Sequence, residues 1–323
     1  MVLPKSDHCG LYSEVTQSVE TRLFLPMGEQ RLIDDLRRLV RRLQEDATLL
    51  EPHELHRRLE ALDSLDARFA EGCLPGAETD LANLYQDTKG LRLRLEAANE
   101  FVCESIRHEI RRDGRTASLL RWARSAPDEE LGNRAGGLGY GFLDELISGV
   151  LRFEEPGGNP VLADPEMVAY QPTPARHIFH LIEAAELAVD DLLIDLGSGL
   201  GHVPLLVSIC TPAHSIGIEL ELSYVHQARQ CAERLNLNRV AFLQQDAREA
   251  DLSAGTIFYL YTPFTGSILR SVLDRLRDEA SQRRIRVCTY GPCTPVIAEE
   301  PWLEASAAPS TDRMTLFRSR LAG

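Results

Sequence analysis

One stretch decides the fold of this chain: Leu192-Leu193-Ile194-Asp195-Leu196-Gly197-Ser198-Gly199-Leu200-Gly201. It begins as a short apolar strand that ends in an acid, and three alternate glycines then lead into an apolar helix over residues 203–210. Glycine allows a sharp turn and a close approach of the backbone to a ligand. The free N–H groups of a helix N-terminus attract an anionic group, and the Asp195 carboxylate can meet an ammonium. The stretch therefore predicts a strand–loop–helix unit with a ligand at the strand tip.

The same alternation continues outward from this unit. Short apolar runs at 215–219, 240–243, 256–261 and 285–290 predict strands, and they alternate with amphipathic helical segments such as 267–282. Strands that alternate with helices of this length indicate an α/β fold with a doubly wound, mostly parallel sheet. Two final strand-like runs, 302–306 and 313–318, are predicted to pair as a C-terminal hairpin on the sheet edge.

The N-terminal part has a helical period instead. From Glu29 to about Arg112, apolar residues recur at steps of three and four between charged residues, and short polar loops separate the segments. We predict an all-α helical bundle domain over 1–135 and a ligand-binding domain over 136–323, with the boundary in the glycine-rich stretch 126–141. The bundle carries no motif for chemistry, which favours a packing module or a homodimer contact.

Two further acids extend the predicted site. Glu219 ends the second strand, 24 positions after Asp195, where an acid can bind a ribose diol. Asp246 follows the third strand, where it can accept from an adenine amino group. Acids at the tips of successive strands suit one nucleoside across the carboxyl edge of the sheet. A dinucleotide is the rival ligand, but its G-x-G-x-x-G pattern would need a glycine where His202 stands. S-adenosyl-L-methionine, which combines a nucleoside with an ammonium, is the expected cofactor.

The composition limits the kinds of binding partner that we expect. With 49 Asp and Glu against 35 Lys and Arg, the net charge is −14, which argues against general nucleic-acid binding. The sequence shows no apolar run long enough for a membrane span and no secretory signal, and its seven scattered cysteines suit a reducing, cytoplasmic setting. We expect no metal site, because His177 and His180 lack an evident third ligand.

Residues 164–293 resemble class I S-adenosylmethionine-dependent methyltransferases, in which the glycine loop and the three acids occur in this order. The resemblance implies a Rossmann-like methyltransferase sheet. More narrowly, the segment Asp164-Pro165-Glu166-Met167-Val168-Ala169-Tyr170-Gln171-Pro172-Thr173-Pro174 is similar to one in the non-SET histone-lysine methyltransferases. It implies that Tyr170, Thr173 and Gln171 close over the methionyl end of the cofactor. The full predicted cofactor set is Asp195, Gly197, Ser198, Gly199, Gly201, Glu219, Leu220, Asp246, Ala247, Tyr170 and Thr173.

The chain departs from those families after the fourth strand. Lysine methyltransferases of the non-SET class carry an asparagine pair there, and amino methyltransferases carry Asn/Asp-Pro-Pro-aromatic. This chain has Tyr261-Thr262-Pro263-Phe264. Tyr261, His202 and Tyr170 are the candidate catalytic residues. The acceptor stays open between a protein side chain and a small molecule. An alternative is a degenerate, cofactor-binding fold that works as an assembly module.

Overall fold

The computed structural model describes residues 27–71, 79–126, 141–154 and 164–320. The chain divides into two compact units, Met1–Ala47 with Glu60–Arg92, and Thr48–Leu59 with Leu93–Gly323. The predicted domain boundary near residue 135 lies outside the described residues, and the division at that point stays a prediction.

The N-terminal region is helical, as its period predicts. Helix α2 follows two 3₁₀ turns, Ala47–Leu50 and Pro52–Glu54, and Pro52 suits the start of a helical segment because its missing N–H is not needed there. The α-helices of this region are α1 (Met27–Glu45), α2 (Leu55–Glu71), α3 (Thr79–Asp113) and α4 (Ser118–Arg124).

The second unit contains a seven-stranded sheet. Its strand order is β3-β2-β1-β4-β5-β7-β6, and every pairing is parallel except those of β7 with β5 and with β6. The predicted terminal hairpin is confirmed, with β7 inside and β6 at the edge. The strands are β1 (Leu192–Leu196), β2 (His214–Glu219), β3 (Val240–Gln244), β4 (Ile257–Leu260), β5 (Arg286–Thr289), β6 (Leu303–Ala305) and β7 (Thr315–Ser319).

Helices cover both faces of this sheet, because alternate strand residues feed two different cores. Leu193 packs in a core that includes buried residues of the helices Phe142–Leu151, Ala175–Ala185, His202–Cys210 and Leu222–Arg234. Ile194 packs with the helix Gly266–Gln282 on the opposite face. This confirms the predicted doubly wound α/β class. The helices of this part are α5 (Phe142–Leu151), α6 (Ala175–Ala185), α7 (His202–Cys210), α8 (Leu222–Arg234), α9 (Gly266–Gln282) and α10 (Cys293–Ala298).

The strand order reverses between β1 and β4. The chain adds β2 and β3 on one side of β1, and then returns to add β4 and β5 on the other. In open α/β sheets, ligands bind outside the carboxyl ends of the strands at such a switch point. The tip of β1 is Asp195-Leu196, so the topology places the glycine loop at this position.

Candidate functional site

A cavity of about 460 Å³ opens at the carboxyl edge of the sheet. Its volume lies in the range of small-molecule sites. The lining comes from the tips of β1, β2 and β4, from the loop after β3, and from the segment 167–173. Most of the predicted site residues meet here, namely Tyr170, Thr173, Asp195, Gly197, Ser198, His202, Glu219, Leu220, Asp246, Ala247 and Tyr261.

Two carboxyl groups lie side by side at the tips of β1 and β2. Asp195 is 3% exposed, and its pKa is raised well above the ordinary value by burial and by the neighbouring Glu219. The Glu219 carboxylate accepts hydrogen bonds from the Gly199 N–H and the Glu221 N–H, both at 2.8 Å. Among the described residues, no lysine or arginine lines the cavity. Burying an acid without a cation beside it makes its ionised form costly, and a cationic ligand would offset that cost.

The backbone of the glycine loop is already engaged within the protein. The N–H groups of Gly197 and Ser198 donate to the Ile218 carbonyl at 2.9 and 3.0 Å, and Gly201 donates to the Ser198 carbonyl at 2.8 Å. Gly199 donates to Glu219. A phosphate at a helix N-terminus needs such N–H groups to be free. These four donors therefore shape the loop instead of holding an anion.

The glycines also make room for other parts of the protein to approach the loop. All three have positive φ, between 52° and 85°. A Cβ at Gly197 would meet Pro263, and one at Gly199 would meet the Tyr170 ring. A Cβ at Gly201 would meet Phe242 and Ala228, which are buried core residues. The missing side chains thus allow other parts of the protein to approach the loop, and neither Gly199 nor Gly201 lines the cavity.

Residues 164–173, which we call the strap, cross the cavity and are anchored first near α9. The Glu166 carboxylate accepts from the Ser267 hydroxyl at 2.7 Å and from the Ile268 N–H at 3.0 Å. Hydrogen bonds from the Ser267 backbone N–H, the Ser267 hydroxyl and the Ile268 N–H lower the pKa of Glu166, because they stabilise its ionised form. The Val168 N–H donates to the Pro263 carbonyl at 3.1 Å. The strap is therefore attached to the loop that follows β4.

The second half of the strap contacts the glycine loop, β4 and α7. The Tyr170 ring lies against Gly199, and its hydroxyl is 3.2 Å from His202 Nδ1. The Thr173 and Tyr259 hydroxyls are 3.0 Å apart. Tyr170 and Thr173, predicted to cover the ligand, thus lie in the cavity wall next to the glycine loop.

His202 is the first residue of α7, and its ring packs at 4.8 Å from the ring of Phe153. Burial lowers the pKa of His202 to about 4, so the imidazole is neutral at pH 7. A neutral imidazole with such a low pKa is a weak base. Its contact with the Tyr170 hydroxyl suits a role in holding Tyr170 in place, while a catalytic role for His202 stays a prediction.

Tyr261 belongs to a stack of three rings beside β4 and β5. Its ring lies 4.7 Å from that of Tyr290, which lies 4.2 Å from the ring of His177. Burial, and secondarily Tyr290, raises the pKa of Tyr261 to about 12, so the side chain is a neutral phenol at pH 7. Its hydroxyl donates to Gln171 Oε1 at 3.2 Å. Tyr261 can therefore support and orient an acceptor more readily than it can remove a proton.

Thr262 has a structural role. It is buried with φ of 40°, its hydroxyl donates to the Tyr290 carbonyl at 3.2 Å, and the same oxygen accepts from the Cys293 N–H at 3.0 Å. This hydroxyl holds the loop between β5 and α10. It does not replace the amide or acid that the family motif has at this position.

Asp246 lies at the far end of the cavity. Arg248 pairs with its carboxylate, with 2.7 Å between Nη2 and Oδ2, and this ion pair lowers the pKa of Asp246. From α9, the Arg275 guanidinium donates to the Ala247 and Arg248 carbonyls at 3.2 and 2.9 Å. The loop is held in place, and Asp246 stays ionised as a hydrogen-bond acceptor.

Sequence reasoning missed several lining residues, among them Tyr224, Tyr259 and Glu221. Tyr259 pairs with Asp195 across the parallel strands β1 and β4. Tyr224 places its ring 5.0 Å from that of Tyr170. The alternation along β4 could have placed Tyr259 on the Asp195 face, but only the strand register makes the two residues neighbours.

No family model matches this sequence, and no curated protein matches it. Solved structures do. An RNA methyltransferase from Salinibacter ruber in complex with S-adenosyl-L-homocysteine is 27% identical over 46% of this chain and 92% of its own, with a TM-score of 0.37. A tRNA (uracil-54, C5)-methyltransferase from Pyrococcus abyssi, in complex with the same ligand, is 16% identical over 46% of this chain and 39% of its own, with a TM-score of 0.34.

A precorrin-6y C5,15-methyltransferase from Geobacter metallireducens GS-15 is 14% identical over 49% of this chain and 96% of its own, with a TM-score of 0.37. All three are methyltransferases. Their names give different acceptors: RNA, tRNA and precorrin-6y.

The described residues lack the features of two other kinds of site. No helix there is both long and apolar enough to cross a membrane. No three His, Cys, Asp or Glu side chains in this part of the chain are grouped so that they could hold a metal ion. His177, one of the two histidines noted in the sequence, instead packs against Tyr290.

Proposed function

We propose that this protein transfers a methyl group from S-adenosyl-L-methionine. One observation carries the proposal: Asp195, Glu219 and Asp246 line one cavity, and the described residues place no lysine or arginine beside the buried Asp195 in its lining. Asp195 would face the ammonium of the cofactor, Glu219 the ribose hydroxyls and Asp246 the adenine amino group. Leu220 and Ala247 would flank the adenine. When bound, the sulfonium supplies an activated methyl group.

The same cavity disfavours a dinucleotide. A pyrophosphate needs free backbone N–H groups or cationic side chains. In the described part of the chain, the N–H groups of Gly197, Ser198, Gly199 and Gly201 are engaged, and the cavity has no lysine or arginine in its lining. Asp195 and Glu219 would in addition repel the phosphates.

For the reaction itself, we propose that the protein contributes mainly alignment. Methyl transfer from a sulfonium needs a nucleophile in line with the carbon–sulfur bond, and well-oriented reactants lower the barrier substantially. Tyr261 would orient the acceptor beyond the tip of β4, and Tyr170 would cover the methionyl end with support from His202. Thr173, Ser198 and Gly197 would complete the wall around the cofactor.

Several finer assignments belong with this proposal. The strap supports the resemblance to the non-SET histone-lysine methyltransferases, but Tyr261-Thr262-Pro263-Phe264 leaves both a protein side chain and a small molecule as acceptors. We also propose the division into domains 1–135 and 136–323, and a homodimer through the helical domain. The five described cysteines are free thiols, which suits a reducing compartment such as the cytoplasm.

Calorimetric titration with S-adenosyl-L-methionine, S-adenosyl-L-homocysteine and NAD tests the proposed function. We expect micromolar binding of both sulfur ligands and none of NAD. Gly199→Ala should weaken this binding at least tenfold, because a Cβ at φ of 52° would meet the Tyr170 ring.

Gly90→Ala is the matched control. Gly90 lies within α3, and a Cβ there meets nothing within 4 Å. The variant should keep full binding and gain about 0.5–1 kcal/mol of stability. Binding of NAD, or of none of the three ligands by the unaltered protein, would exclude the proposed function and favour the degenerate assembly module.

A further inference from the structure

The cavity has two chemically different ends. The strand order β3-β2-β1-β4 places Asp246, Glu219 and Asp195 on one side, which the cofactor would occupy. The remaining wall, at the tip of β4 and beyond, is the end left for the acceptor. We call it the acceptor wall, and it consists of Gln171, Tyr261, Pro263, Phe264 and Pro292.

The acceptor wall has two aromatic and two proline side chains and no charged one. The stack of Tyr261 on Tyr290 and of Tyr290 on His177 holds the Tyr261 ring in place. Aromatic rings of this kind bind another ring by offset or edge-to-face packing. A ring that is already immobilised loses little side-chain entropy when a ligand binds.

Charge excludes two other classes of acceptor. Phosphates need lysine or arginine, and the described residues place neither in the cavity lining. Four acidic side chains line the cavity, namely Asp195, Glu219, Glu221 and Asp246, and the net charge of −14 also disfavours an anion. These four acids lie at the tips of β1 and β2 or in the loops after β2 and β3, on the side of the cofactor. The acceptor wall itself has no carboxylate that could pair with a cationic acceptor.

The acceptor wall offers one polar side chain, that of Gln171, for a hydrogen bond to a ligand. Gln171 is exposed, and its Oε1 accepts from the Tyr261 hydroxyl at 3.2 Å. Within the described residues, no protein acceptor takes a hydrogen bond from the Gln171 Nε2, which can therefore donate to a ligand oxygen or ring nitrogen. The Thr262 hydroxyl, by contrast, is used within the protein.

We propose that the methyl acceptor is an uncharged, planar aromatic small molecule with a hydroxyl or ring-nitrogen nucleophile. This inference rests on the proposed methyl transfer. A lone pair of the nucleophile forms the new bond to the methyl carbon as the carbon–sulfur bond breaks, and the electron pair of that bond passes to sulfur. S-adenosyl-L-homocysteine is the coproduct, and the proton of a hydroxyl acceptor passes to water.

Three probes with one ring system test the acceptor class: 2-naphthol, 2-naphthyl phosphate and 2-naphthylmethylammonium. Each is titrated into protein that is saturated with S-adenosyl-L-homocysteine. We expect 2-naphthol to bind at least tenfold more tightly than either charged analogue. Equal affinities, or tighter binding of the phosphate or the ammonium, would overturn the inference. Saturable binding of a single-stranded RNA 12-mer at lower concentration than 2-naphthol would do the same.

Variants test whether the acceptor wall is the site. Tyr261→Ala should weaken 2-naphthol binding at least fivefold, Tyr261→Phe should keep most of it, and Gln171→Ala should weaken it two- to threefold. Tyr85→Ala removes an exposed tyrosine that does not line the cavity, and it should change nothing. If Tyr261→Ala does not fold, Gln171→Ala, at an exposed position, decides the outcome. Unchanged 2-naphthol binding in the folded variants would overturn the inference.

The two proposals fail in different ways. Without binding of S-adenosyl-L-homocysteine in the first titration, the proposed function itself fails. With that binding intact and 2-naphthol no better than its charged analogues, only the acceptor class is wrong.

Discussion

At the scale of single residues, Asp195 shows how a binding site acts against stability. Its carboxyl group is buried beside Glu219, and both effects raise its pKa. A group whose pKa is higher in the folded than in the unfolded protein favours folding at low pH, and this contribution is lost as the pH rises. At neutral pH, the ligand-free protein therefore carries an unfavourable buried acid, which a ligand ammonium would relieve.

Asp195→Asn should have opposite effects on stability and on binding. The amide has no charge to bury, so the melting temperature of the ligand-free protein should rise. Binding of S-adenosyl-L-homocysteine should weaken at least tenfold, or about 1.4 kcal/mol. Differential scanning calorimetry and titration calorimetry measure the two effects. Asp190→Asn, at an exposed position before β1, should change neither. A destabilised variant with intact binding would contradict this account.

Gly201 shows that glycine can be required at one position for two different reasons. Its position in the glycine pattern suggests a close approach to a ligand, whereas its missing Cβ leaves room for Phe242 and Ala228. Both needs select glycine, because φ of 81° is unfavourable for other residues in any case. The residue type was therefore informative about the turn, but not about which group lies against it.

At the scale of elements, the strap is the part of the site with the fewest regular hydrogen bonds. It has no helix or strand of its own beyond a single bridge between Met167 and Phe264. Side chains attach it through Glu166 to α9, Tyr170 to α7 and Thr173 to β4. Two backbone hydrogen bonds, at Glu166 and Val168, join it to the loop after β4. Segments held in this way open more readily than core strands. Its order should therefore depend on these few anchors.

Glu166→Ala should loosen the strap without affecting the sheet. The change removes the acceptor of the Ser267 hydroxyl and of the Ile268 N–H, together with a negative charge at the N-terminus of α9. We expect faster hydrogen exchange at Val168, unchanged exchange in β1 and β4, and three- to tenfold weaker binding of S-adenosyl-L-homocysteine. Glu145→Ala, at an exposed position of α5, serves as the control. Unchanged exchange at Val168 would show that the strap is held by other contacts.

At the scale of the whole molecule, two histidines with lowered pKa values make folding sensitive to acid. Burial lowers the pKa values of His177 and His202 to about 4, from an ordinary value of 6.5. Between these two values the unfolded chain binds more protons than the folded one. Stability should therefore fall as the pH drops from 6.5 to 4, and below 4 these two groups contribute no further loss.

His177→Phe tests this pH dependence. The variant keeps a ring against Tyr290 but has no group to titrate. Denaturant unfolding at pH 7 and at pH 4 should show a smaller loss of free energy than in the unaltered protein, by up to about 3 kcal/mol. His214→Gln, at an exposed position, should leave the loss unchanged. The measured quantity is the difference in this loss between the variant and the unaltered protein. This comparison is needed because Asp195, whose pKa is raised, changes the stability with pH in the opposite direction.

The sequence by itself determined the α/β class, the strand that ends in Asp195, and the acids Glu219 and Asp246. These follow from local patterns, since parallel strands with crossover helices bring their carboxyl ends to one edge. Only the tertiary structure decided that Tyr259 lies beside Asp195, that Glu166 binds Ser267 across 101 positions, and that the stack of Tyr261, Tyr290 and His177 supports the acceptor wall. Such contacts depend on register and packing between distant segments, and no periodicity in the chain specifies them.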